Sequence, residues 1–129
     1  MSYVNLDRDE YFVSDGNAGK VIIRDLADIP GGRALDVSNW TPDNILAGHI
    51  IKHNTVTDVY APLGVTGSDN DTYASLEANE EYAGVLKVAV MKTKPFAAIM
   101  TMGEVNAAAS PYAVTDTIKA GLPQIKFLY

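Results

Sequence analysis

A chain of 129 residues, 47% hydrophobic and 20% charged, is long enough to fold as one domain around its own core. Its formal net charge is −6, and its 10 Lys and Arg residues are scattered singly, which excludes the clustered basic surface that phosphate recognition needs. The lack of cysteine excludes disulfides, thiolate metal sites and cysteine nucleophiles together.

The first 19 residues set Tyr3, Leu6, Tyr11, Phe12 and Val13 among acids and then break at Asp15-Gly16-Asn17-Ala18-Gly19. Asp, Asn and two glycines in so short a run predict a turn or joint, so 1–19 reads as an N-terminal arm ahead of a single domain over 20–129. Asp7, Arg8, Asp9 and Glu10 replace the basic and apolar regions of a signal peptide, and no run approaches the roughly 18 apolar residues of a membrane span. The expectation is a soluble product without an export signal, bound to neither membrane nor nucleic acid.

Lys20 to Leu26 predicts a strand, Pro30-Gly31-Gly32 a turn, and Ala34 to Val37 a short strand. Gly48 to His53 and Val59 to Ala61 read as two further extended pieces. Thr66 to Glu81 reads as a polar surface loop with one helical turn near Leu76. Ala83 to Val90 and Pro95 to Met102 predict the core pair, joined through Met91-Lys92-Thr93-Lys94. In the second of these, Phe96, Ala98, Met100 and Met102 are expected on one face.

The chain is then expected to turn at Gly103 and to form a helical piece over Val105 to Ala109. Thr115 is placed to cap a short helix through Ala120, with Ile118 and Leu122 on one side and Gly121 and Pro123 as stop signals. Gln124 to Tyr129 alternates, with Ile125, Phe127 and Tyr129 together. The fold class expected is mainly β with one or two short helices.

The motifs that carry chemistry fail one by one. His49 and His53 have the i, i+4 spacing of a helical metal pair, but on a strand their rings would stand roughly 13 Å apart, so both read as partly exposed structural histidines. Asp69-Asn70-Asp71 lacks the alternating ligands of a calcium loop. Gly16-Asn-Ala-Gly-Lys20 lacks the spacing of a phosphate loop and has Val21 where a hydroxyl belongs. Asn39-Trp-Thr41 and Asn70-Asp-Thr72 match glycosylation acceptors, which count for little without an export signal. No nucleophile elbow is present. An enzyme is not expected, and neither a cofactor nor a metal is implied. Met100 and Met102 read as core filler or subunit interface, and Trp40 as a core edge or an intersubunit contact.

The stretch Ala97-Ala-Ile-Met-Thr-Met-Gly-Glu-Val-Asn-Ala-Ala-Ala-Ser-Pro111 resembles the closing motif of the decoration proteins on tailed-phage heads, in which a strand runs into Gly-x-Val-Asn-x-Ala. Further pieces appear in the family's order over residues 34 to 128. Ala47-Gly48-His-Ile-Ile51 is similar to the early strand, Tyr60-Ala-Pro-Leu63 to the link after it, and Tyr82-Ala-Gly-Val-Leu86 to the central strand. Lys94-Pro-Phe-Ala-Ala-Ile-Met100 leads into Gly103-Glu-Val-Asn106, and Leu122-Pro-Gln-Ile125 fits the closing segment. The first 33 residues and the acidic stretch 66–81 lie outside the pattern.

The resemblance implies a compact β-clip fold, a homotrimer, and attachment to the major capsid protein on the outer surface of a virion after synthesis in the host cytoplasm. It transfers no catalytic residue. The expected capsid or subunit contacts are Tyr3, Leu6, Tyr11 and Phe12 of the arm, with Trp40, Met100 and Met102. The alternative is a surface-displayed module that recognises a carbohydrate or host partner through the 66–81 stretch, where Tyr73 and Tyr82 are the available aromatics.

Overall fold

The computed structural model describes residues 18–67 and 71–129. The Tyr3, Leu6, Tyr11 and Phe12 contacts, and most of the arm with its joint, therefore lie outside the described residues. A single helical turn, α1 (Ala18–Val21), leads into β1 (Ile22–Asp28). There follow β2 (Arg33–Ala34), β3 (Asn44–Ile45), β4 (Ile50–Asn54), β5 (Val59–Pro62), β6 (Val65–Thr66) and β7 (Thr72–Tyr73). The second half holds β8 (Glu80–Leu86), β9 (Val90–Met91), β10 (Phe96–Ala97), β11 (Ile99–Asn106), α2 (Asp116–Gly121) and β12 (Ile125–Leu128). The fold is mainly β.

The principal sheet has the order β1-β11-β8-β4-β5, and β12 also pairs with β11. β11 is its spine. Along one side it meets β1 antiparallel from Met100 to Val105. Along the other it meets β8 at Ile99 and Met100, then β12 in parallel from Gly103 to Asn106. Three two-stranded ribbons, β2–β10, β3–β9 and β6–β7, complete the architecture.

The central strands are buried on both faces, so consecutive residues enter different cores. Ile50, Val85 and Met100 align across β4, β8 and β11 and join Val21, Leu63, Val105, Ile118, Leu122 and Ile125. Their neighbours Ile51, Leu86 and Ile99 face the opposite way, toward Leu35, Trp40, Ile45 and Ala97. Each fully buried aliphatic side chain contributes about 1.5–3 kcal/mol relative to exposure. Strand pairs of two adjacent aliphatic residues are thus the sequence trace of a sheet covered on both sides.

Glycine sets how closely β11 is flanked. A Cβ on Gly84 of β8 would strike the Met100 carbonyl oxygen, and one on Gly103 would strike the Arg24 carbonyl oxygen of β1. Gly103 also holds φ at +155°, a conformation side chains rarely adopt. The expected turn at Gly103 is not there: β11 runs through it to Asn106, and the register of β1 shifts at Ile22/Arg24 and again on either side of Ala27.

Other boundaries differ for local reasons. β8 ends at Leu86, short of the expected Val90, because the Leu86 carbonyl accepts from Gly48 N and Lys87 N turns to the Ala98 carbonyl. The expected strand from Pro95 to Met102 is broken at Ala98, since Phe96 and Ala97 leave the main sheet to pair with Ala34 and Arg33. That break inverts the expected face: Ala97 and Ile99 are buried, while Phe96 is 62% exposed. The 66–81 stretch contains β7 and the start of β8, with no helix near Leu76. Helix over 105–109 shrinks to a 3-10 turn at Ala107–Ala109, with Asn106 Oδ1 accepting from Ala108 N at 3.1 Å. The Thr115 cap forms as expected, its hydroxyl oxygen accepting from Ile118 N at 3.3 Å, and both Ile118 and Leu122 are buried.

Candidate functional site

Two features stand out from a well-satisfied fold: an apolar sheet edge and an aromatic cluster beside a cleft. The edge is β1, which among the described residues has a strand neighbour on one side alone. Ile23 is 46% and Leu26 59% exposed, and Met102 of the adjoining β11 is 38% exposed. An edge strand with apolar side chains is a template for association unless charge or cover blunts it. Part of that blunting is present. Lys87 Nζ pairs with the Asp25 carboxylate and, at 2.8 Å, with Asp28. Arg24 Nε lies 3.8 Å from Glu104 Oε1.

The expected interface residues separate in three dimensions. Met100 is fully enclosed, with its Sδ close to Gly103, and belongs to the core of its own protomer. Met102, two residues on, is the one with surface to offer, so the pair does not share a face. Trp40 is buried with Ile45, Ile51 and Ile99, and its Nε1–H donates to the Asn44 carbonyl at 3.1 Å. Trp40 also forms a wall between two clefts.

One cleft, of about 360 Å³, is polar and bears Asp36, Asn39, Lys52, Asn54, Thr57 and Glu80. Its charges are largely matched internally. Lys52 Nζ lies 2.9 Å from Glu80 Oε2. Burial works to raise the Glu80 carboxyl, but the Glu77 N–H and Lys52 overcome it and hold the group below its ordinary range. Asp36 is lowered chiefly by the Ser38 backbone N–H, which donates to its carboxylate at 3.0 Å.

The second cleft, of about 260 Å³, is lined by Trp40, Pro42, Asp43, Asn44, Leu46, His49, Pro111 and Tyr112. His49 is 0% exposed, which corrects the expectation of a partly exposed histidine. Its ring meets Trp40, Tyr73 and Tyr112 edge-on at centroid distances of 4.8, 5.1 and 5.6 Å. His49 Nε2 lies 2.8 Å from the Leu63 carbonyl oxygen, which can only accept, so Nε2 carries the proton. Burial drives its pKa down to about 4 against the opposing Leu63 bond, and the ring is neutral at pH 7. The local signal for this burial is the apolar run Ala47-Gly48 and Ile50-Ile51 on either side; nothing local announces the aromatic neighbours.

His53 sits in the opposite environment. Nδ1 lies 3.0 Å from Glu81 Oε1 and Nε2 lies 2.7 Å from Asp58 Oδ1, with the ring stacked on Tyr60 at 4.3 Å. Glu81 and then Asp58 hold the imidazolium and raise its pKa. The two histidines thus occupy separate settings, and among the described residues no group of three or more His, Asp or Glu side chains converges as a metal set. In the 66–81 stretch Tyr73 is buried, its hydroxyl oxygen accepting from Ile50 N at 3.2 Å, and Tyr82 is half-buried. Neither offers the exposed ring that a carbohydrate platform on this stretch requires. Among the described residues no helix is long and apolar enough to cross a membrane. No protein-family model, no curated protein and no solved structure matches the chain.

Proposed function

We propose that the chain is a structural virion protein that binds the outside of a tailed-phage head as a decoration or cement protein. The observation that carries this reading is the exposed apolar edge made by Ile23 and Leu26 of β1 with Met102 of β11. A cement protein must be soluble alone and adhesive on a lattice, and such an edge within a chain of net charge −6 meets both needs. The ordered resemblance over residues 34 to 128 supplies the partner class: the major capsid protein, approached as a homotrimer, with no chemistry performed.

Co-sedimentation with purified capsid shells tests the reading. The wild-type chain should pellet with shells at a saturating stoichiometry, and the double variant Ile23→Lys, Leu26→Lys should bind at least tenfold more weakly while keeping its melting temperature. Failure of the wild-type chain to bind any shell from its own host range would overturn the proposal. Light scattering of the free and shell-bound protein addresses the trimer, for which a 13.9 kDa species in both states is the contrary result.

A further inference from the structure

The aromatic cleft contains an acceptor that the protein itself leaves unused. With Nε2–H committed to the Leu63 carbonyl, His49 Nδ1 bears a lone pair, and no protein group reaches it although it is buried. Buried polar atoms are nearly always paired, because an unmet one costs about 1–3 kcal/mol. Ser110 Oγ is also buried without a protein partner, and Ser110 immediately precedes Pro111 of the cleft wall. Two such atoms thus occur at or next to one cleft whose other surfaces are mostly apolar: Pro42, Leu46, Pro111 and the rings of Trp40 and Tyr112.

We propose that this cleft is a binding site for a single neutral ring of the phenol class, whose hydroxyl donates to His49 Nδ1. Size, polarity and charge each narrow the ligand. About 260 Å³ lies below the roughly 300–1,000 Å³ of sites for drug-sized molecules, which suits one ring and not two. The proline and leucine walls with aromatic edges favour a flat apolar body. A lone-pair acceptor at the floor calls for one O–H or N–H donor. Desolvation that keeps His49 neutral would also penalise an ammonium or a carboxylate in the same place, so the ligand is uncharged. Asp43 is the one charged residue of the lining.

The test is a titration of the full-length ¹⁵N-labelled protein with p-cresol, read by long-range ¹H–¹⁵N correlation of the histidine rings. Saturable binding with a Kd on the order of 1 mM is expected for so small a ligand. The His49 Nδ1 resonance should move upfield while Nε2 keeps its protonated position, and the Trp40 indole signal should shift in parallel. Toluene, the same ring without the hydroxyl, should bind about tenfold more weakly, the worth of one hydrogen bond. Leu46→Trp, which fills the mouth from a partly exposed position, should abolish binding without altering the fold. His49→Phe should remove the preference for p-cresol over toluene. If that variant does not fold, the comparison of the two ligands on the wild-type protein decides. Absence of a saturable shift, equal affinity for toluene and p-cresol, or undiminished binding by Leu46→Trp each overturns the proposal.

Discussion

His53 Nε2 lies 2.7 Å from the Asp58 carboxylate, and Asp58 itself is held at φ +58°, so the β4–β5 turn is pinned by a charged ring at its base. Because the His53 pKa is raised, its stabilisation is present in full below the unfolded value of 6.5 and is lost as pH climbs through the folded pKa. His49 acts in the opposite direction. Between pH 6.5 and about 4 the unfolded chain takes up a proton that the folded ring refuses, so stability falls as pH falls. Urea denaturation from pH 4 to 9 should therefore show a maximum between the two limbs. His53→Gln should flatten the alkaline limb alone. A stability that rises monotonically from pH 6 to 9 would contradict the assignment.

Met100 and Met102 should respond very differently to truncation. Met100→Ala empties a fully buried site and should cost about 2–5 kcal/mol. Met102→Ala, at a partly exposed position, should cost less than about 1 kcal/mol. Equal costs in chemical denaturation would return the two side chains to a common face.

Gly103→Ala should destabilise by about 2–4 kcal/mol, since the added Cβ meets the Arg24 carbonyl and the backbone cannot relax without releasing β1. Hydrogen exchange should locate the damage in the β1–β11 ladder before the β4–β8 ladder. A cost under about 0.5 kcal/mol would mean that β1 is not seated as described.

Lys87→Met should lower stability by no more than about 1 kcal/mol, because the ion pairs to Asp25 and Asp28 are half-exposed. The difference from wild type should shrink in 1 M salt. Its larger effect should be kinetic access: amides of β1 should exchange faster once the lysine no longer ties this edge to the turn after β8. A salt-independent loss would point to packing of the lysine stem instead.

What was legible in the sequence followed from how local the cause is. The Thr115 cap, the burial of Ile118 and Leu122, and the strands β4 and β12 rest on neighbours within a few residues, and all are present. The mainly β class followed from the same kind of signal. Alternation failed where the chain changes partner. Ala98 carries no mark of the break, because the capture of Phe96 and Ala97 by β2 is decided by residues 33 and 34. The turn expected at Gly103 was a correct reading of glycine's freedom with the wrong cause, since the freedom admits a neighbouring strand. The aromatic group of Trp40, His49, Tyr73 and Tyr112 was out of reach, because its members are drawn together from four separate segments.

The position of β11 as spine has a consequence for synthesis. Ile22 can meet Val105, and Asp28 can meet Met100, only after most of the chain has left the ribosome. Until then the first strand has no hydrogen-bonding partner, and Ile23 and Leu26 accompany it unprotected. Closing so long a loop is slow compared with forming the β4–β5 hairpin. The same strand that leaves an adhesive edge on the finished protein is thus the last to be secured during its birth, and nascent chains on one polysome are each other's nearest competitors for it.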